Sequence, residues 1–188
     1  MNIQEDLKPK LRQEALEILS RLAPREREAL LIKCWMSHDA RWFMAVASEF
    51  GMEVTNRLNQ IAAHEVGKAE CKRVVKALQL PRVESLDDLL LIQEVLIGLL
   101  GPDLLDYRVN KVSENSGRVH VQRCFAYENA RRAGVAEELN CGIFARVTGW
   151  IEALGLPYEI EPKLGNCLKA RGEECAYTMS LHGGPLSA

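Results

Sequence analysis

Tyr107-Arg-Val-Asn-Lys-Val-Ser-Glu-Asn-Ser-Gly-Arg-Val-His-Val-Gln-Arg123 is where the chain changes period. Before it, apolar residues recur at helical spacing; within it they alternate. Two β-like runs, Tyr107 to Ser113 and Arg118 to Arg123, flank the polar Glu114-Asn-Ser-Gly117, and together they predict a β-hairpin. Val119 and Val121 share one face of the second run, while His120, Gln122 and Cys124 share the other. Downstream, Tyr127 to Ala133 and Ala136 to Ala153 read as helices separated near Gly134. Ile143, Val147, Trp150 and Leu154 form a stripe on the second. Tyr158 to Lys163 and Cys175 to Leu181 read as two more strands. The last puts Cys175, Tyr177, Met179 and Leu181 on one core face.

Working back from the hairpin, the first half reads as helix throughout. Leu11, Ala15, Ile18, Leu19 and Leu22 recur at helical spacing up to Pro24, and a short helix follows from Arg25. Ser37, with Asp39 in the next turn, reads as the N-cap of a further helix. Its face is Phe43, Val46, Ala47, Phe50, Val54, Leu58 and Ile61; Gly51 and Gly67 weaken the run, with Gly67 as the boundary between two helices and Pro81 as the end. Ser85 caps another helix, with Asp87 and Asp88 in its first turn, and Gly101-Pro102 stops it. The expected fold class is α+β: a helical half, 1–104, packed on a four-stranded antiparallel sheet in 105–182, in one domain over 1–188.

The chain has 188 residues, 47% of them hydrophobic and 27% charged, which suits an ordinary globular domain. A formal net charge of −2 with interspersed signs argues against a nucleic-acid-binding face. Met1 to Lys10 lacks an apolar signal core, and the most apolar stretch, Leu89 to Leu100, is too short for a membrane span. The expectation is a cytoplasmic protein with no nucleic-acid or membrane partner.

Cytoplasmic cysteines stay reduced, so the six thiols are not expected to form disulfides. They are core packing groups, reactive thiols or metal ligands. Cys124, Cys141, Cys167 and Cys175 fall in the last third, at a strand end, a helix start, a loop and a strand start. Four thiolates are a ligand set for structural zinc, but these lie much further apart than the about two to four residues of a zinc knuckle. Cys34 and Cys71, in the helical half, read as buried packing residues.

Gly165-Asn-Cys-Leu-Lys-Ala-Arg-Gly-Glu-Glu-Cys-Ala-Tyr-Thr-Met179 resembles the C-terminal signature of 4-vinyl reductase domains. In that signature a cysteine precedes a glycine turn, and a second cysteine opens the last strand. Cys167, Gly172, Cys175 and Tyr177 occupy those places, and Cys141 stands where the family carries a third cysteine on a helix. The same pattern is similar to that of the L-2-amino-thiazoline-4-carboxylic acid hydrolase family. Trp35, His38, Asp39, Arg41, Trp42 and Phe43 look closer to uncharacterised standalone bacterial relatives of that family. The resemblance covers 105–182 and touches the front only loosely. It implies a domain that binds a small, often apolar molecule, with zinc held near the pocket by Cys141, Cys167 and Cys175. The sensors of the family use a glutamate where this chain has Leu164. The fourth ligand is therefore expected to be Cys124, with Glu161 or His120 behind it. No DNA-binding or ATPase module accompanies the domain in these residues, so a role as such a regulator is not expected.

Trp35, His38, Asp39 and Trp42 read either as an aromatic binding corner or as a capped helix with core tryptophans. His120 reads as a pocket donor, a partner of the metal ligands or a solvated strand residue. The candidate ligand contacts are Trp42, His38, His120, Tyr107 and Trp150. No GxSxG, HExxH or phosphate-binding glycine loop names a catalytic group. Three functions follow, in order. The first is a binding protein for a small apolar or aromatic molecule with structural zinc. The second is a hydrolase of a small cyclic amide or thiazoline. The third is a homodimeric interaction protein whose zinc is purely structural.

Overall fold

The computed structural model describes residues 7–163 and 165–182. The α+β architecture is as expected: a helical amino-terminal half, then a four-stranded antiparallel sheet. By its contacts the chain divides into two compact units, Met1–Arg41 and Trp42–Ala188. The division falls inside a helix, upstream of the change of period at 104/105.

The first unit holds helix α1 (Lys8–Leu19) and the leading turns of α2 (Pro24–Leu78). Pro24 opens α2, where a missing N–H removes no helical bond. Glu26 accepts the Ala23 amide at 2.8 Å and places a negative charge in the first turn. No helix starts at Ser37. Neither glycine nor proline lies between Arg25 and Phe50, and the Ser37 hydroxyl bonds the Arg41 guanidinium instead of a backbone amide. Nothing there interrupts the helix, so α2 continues. Leu11, Ile18 and Leu19 of α1 are exposed.

In the second unit, the break in α2 is at Gly51 and not at Gly67. Gly51 adopts φ 76° and ψ 167°, a region open to glycine. The break ends the common helical phase of the expected stripe, and Phe50, Leu58 and Ile61 stay exposed. Gly67 is helical and buried for a different reason. A Cβ there would lie 2.3 Å from the Arg146 carbonyl oxygen. Helix α3 (Leu86–Leu100) starts as read: the Ser85 hydroxyl accepts the Asp88 amide at 3.2 Å. It ends at Gly101, with φ 132°.

The hairpin forms with longer strands, β1 (Leu105–Ser113) and β2 (Ser116–Cys124). Its turn is therefore Glu114-Asn115, and Gly117 sits inside β2 opposite Lys111. Helices α4 (Phe125–Arg132) and α5 (Gly142–Ala153) follow, then β3 (Tyr158–Glu161) and β4 (Ala176–Leu181). The sheet order is β1-β2-β4-β3. Leu86, Leu89 and Ile92 of α3, Val147, Trp150 and Ile151 of α5, Cys71 of α2 and Met179 of β4 share one core. No helix among the described residues is long and apolar enough to cross a membrane.

Helix α5 is clamped to α2. A Cβ on Gly149 would lie 2.3 Å from the His64 carbonyl oxygen, mirroring Gly67 against Arg146. Beside this contact, Glu70 accepts Arg146 Nε at 2.6 Å and the Trp150 indole N–H at 2.5 Å, and its second oxygen pairs with the guanidinium. The Arg146 and Glu70 side chains are 13% and 22% exposed. Truncating one member of a buried pair costs about 3–5 kcal/mol, and partial exposure reduces that. Glu70→Ala is expected to lower stability by about 2–3 kcal/mol, read as a lower urea midpoint at unchanged m-value.

Candidate functional site

A cavity of about 190 Å³ lies in the second unit, between α3, α5 and the inner face of the sheet. Helix α3 contributes Leu90, Gln93, Glu94 and Ile97, which share one helical face. The hairpin contributes Tyr107, Val109, Val119 and Val121, and α5 contributes Phe144, Val147 and Trp150. Tyr177 reaches in from β4, edge-on to Phe144 with ring centroids 5.0 Å apart. Cys124, Cys141 and Cys175 also line it, so the sulfur-bearing region and the cavity are contiguous.

The alternation of β2 puts Cys124 on the face of His120, away from Val119 and Val121. The structure corrects this. Asp106 pairs with Arg123 but Tyr107 pairs with Val121, leaving Gln122 as an extra residue. A bulge of this kind re-aims the side chains beyond it, and Cys124 turns to the cavity side. Lys169 Nζ donates to the bulged Gln122 carbonyl at 2.8 Å.

The other thiols are placed by backbone pairing. Asn140 and Asn166 form an isolated antiparallel bridge, with the Cys141 amide donating to Gly165 O at 2.8 Å and the Cys167 amide to Leu139 O at 2.9 Å. Buried Asn56 supports it, donating to Glu138 O at 2.6 Å and accepting the Asn140 amide at 3.0 Å. Cys175 O accepts the Val121 amide at 2.8 Å. Cys141 caps α5, its sulfur accepting the Phe144 amide at 3.4 Å, and Cys124 occupies the N-cap position of α4.

These placements gather the four thiols that the sequence scatters. Cys124, Cys141 and Cys175 line the same cavity, and the pairing of Asn140 with Asn166 sets Cys167 close to Cys141. Burial pushes the Cys141 thiol up to about 12, against the helpful Phe144 amide. Burial likewise pushes Cys175 up to about 11, with Lys169 opposing, and raises Cys124 against the Tyr127 and Ala126 amides. At neutral pH Cys124, Cys141 and Cys175 are thiols, not nucleophilic thiolates. Among the described residues no group of three or more His, Cys, Asp and Glu stands in a geometry that could hold a metal ion. The donor chemistry suits zinc, and the sulfurs would have to draw closer to bind it.

Of the expected ligand contacts, Tyr107 and Trp150 line the cavity. Trp42 does not; it is 66% exposed on α2. His38 is an exposed residue of the first unit. His120 lies on the opposite face of β2 from Val119, with Nε2 3.3 Å from Glu174. Glu161 is exposed in β3, and Leu164 lies outside the described residues. Cys34 is exposed, against the expectation of burial, because it sits on a solvent side of α2; Cys71 is buried in the core as expected.

Gln93 and Glu94 escaped notice in the sequence, where they merely interrupt an apolar run. The Tyr107 hydroxyl donates to Glu94, and burial together with that carboxylate holds the phenol protonated. Gln93 is 8% exposed, and its Nε2 is, among the described residues, the one buried side-chain nitrogen or oxygen without a hydrogen-bond partner. An unmet buried donor costs about 1–3 kcal/mol. A polar residue facing the cavity from an otherwise apolar stripe was the available signal.

No curated protein matches the chain. A solved structure that it resembles is a trafficking protein particle complex subunit 3 from Naegleria fowleri, covalently bound to palmitic acid. The TM-score is 0.52 at 10% identity, covering 87% of this chain and 99% of that one, a likeness of fold alone. Residues 19–167 match the family described as "Family of unknown function (DUF6125)", and the chain belongs to that family.

Proposed function

We propose that the protein binds a small, mainly apolar molecule in the cavity between α3, α5 and the sheet. The observation that carries this reading is the cavity, lined mostly by carbon and about 190 Å³ in volume. An apolar cavity of about 150 Å³ already takes up benzene. A ring-sized molecule or a short acyl segment therefore fits. The palmitic acid on the similarly folded trafficking subunit supports the reading. So does the resemblance to 4-vinyl reductase domains, as a proposal of kinship.

The second part of the proposal is zinc at Cys124, Cys141, Cys167 and Cys175. Four thiolates would leave the metal no open position, so its work would be structural. It would tie the end of β2, the start of α5, the 165–175 loop and the start of β4 together at one wall of the cavity. Hydrolysis of a cyclic amide or thiazoline ranks lower, because the cavity offers no histidine to pair with its cysteines.

An interaction role is the other reading with an observation behind it. Helix α2 leaves Leu31, Trp42, Phe50 and Ile61 more than half exposed, and sedimentation of the chain as a monomer at micromolar concentration would count against it.

The binding proposal is tested by residue-resolved NMR with toluene as probe. Shifts concentrated at Val119, Val121, Val147 and Trp150 are expected. Shifts confined to exposed residues of α1 and α2 would mean that the cavity is not the site.

A further inference from the structure

Four side chains with polar hydrogens line the cavity besides its thiols: Gln93, Tyr107, Trp150 and Tyr177. Two are committed. The Tyr107 hydroxyl donates to Glu94, and the Trp150 indole donates to Glu70. Of the other two, Gln93 is the one whose donor, Nε2, is fully buried and unpartnered among the described residues. It occupies a position on the cavity face of α3 where leucine would serve helix and packing equally well. Buried polar groups are satisfied as a rule, so a lone exception at a cavity wall points to a partner that arrives with the ligand.

Charge narrows the partner further. No lysine or arginine lines the cavity, and its one ionisable carboxyl is Glu94. A carboxylate ligand would enter without a counter-ion and beside a like charge, which low dielectric makes costly. We infer that the ligand is a neutral, mainly apolar molecule carrying a carbonyl-type acceptor, such as a ketone, aldehyde or ester, whose oxygen is taken by Gln93 Nε2.

This rests on the cavity being the binding site, and three probes of one size separate the two claims. Acetophenone has the ring and the carbonyl, ethylbenzene has the ring alone, and benzoate has the ring with a charge. Dissociation constants come from NMR titrations of the full chain. Wild type is expected to bind acetophenone about tenfold tighter than ethylbenzene, the weight of one good hydrogen bond, with benzoate weakest. Gln93→Met is expected to bring acetophenone down to ethylbenzene and leave ethylbenzene unchanged. Equal affinity for acetophenone and ethylbenzene in wild type overturns the inference while leaving the cavity as a site. Tightest binding of benzoate overturns it too. Binding of none of the three removes the cavity reading and this inference with it. A Gln93→Met or Gln93→Leu variant that folds and keeps the tenfold preference would give the carbonyl to another donor, such as Tyr177, and overturn the inference.

Discussion

Gly149→Ala is expected to destabilise the fold by at least about 2 kcal/mol, although alanine is the better helix former. Helix propensity favours the change by about 1 kcal/mol. Against it, the new Cβ would lie 2.3 Å from the His64 carbonyl oxygen, and backbone cannot turn aside as a side-chain tip can. Overpacking against side chains costs about 1–3 kcal/mol, so a backbone obstacle sits at or above the top of that range and outweighs propensity. For a domain of this length the loss corresponds to about 4–8 °C in Tm. Gly67→Ala meets Arg146 in the same way and should behave alike. Gly98, in α3, has nothing within 4 Å of its Cβ position, so Gly98→Ala should hold stability or raise it by up to about 1 kcal/mol. Urea midpoints of the three variants decide; equal stability of Gly149→Ala and Gly98→Ala would refute the close helix contact. The contact matters for the site because α5 carries Cys141 at its start and Phe144, Val147 and Trp150 along the cavity.

The zinc proposal predicts the second large effect. Protein purified without a metal-affinity tag is expected to carry one zinc per chain. Free zinc at about a hundred times its Kd stabilises a folded chain by about 2.7 kcal/mol, or about 5–11 °C for a domain of this length. Chelation should lower Tm on that scale, and Cys141→Ser or Cys167→Ser should abolish both the metal and the chelator's effect. Binding should also release protons, since burial keeps Cys141 and Cys175 protonated at neutral pH. A folded protein with no metal and all six thiols titrating as free would make these cysteines packing residues.

Local signals carried much of the fold. The Ser85 cap, the Gly101-Pro102 stop, the hairpin around Glu114 and the face of Tyr177 and Met179 depend on neighbours in sequence, and each forms. Long-range contacts were illegible. Gly51 and Gly67 both read as weak points of the helix, but only Gly51 breaks it, while Gly67 is where α5 passes. The bulge at Gln122 leaves no trace in composition, yet it decides that Cys124 faces the cavity. Tyr107 and Trp150 were found because aromatic residues on core faces are conspicuous. Trp42 and His38 were grouped by closeness in sequence, which on an uninterrupted helix does not make a pocket. Gln93 was missed because its meaning lies in what the fold fails to place beside it.

The cavity itself is tested most directly by filling it. Val121 lines it and is half-buried, so Val121→Phe adds bulk without opening the core. Toluene affinity is to be measured for wild type and Val121→Phe by NMR titration at matched conditions. Val121→Phe is expected to lose at least about tenfold in affinity, 1.4 kcal/mol, with Tm held. Unchanged affinity in a folded Val121→Phe would contradict the cavity as the binding site.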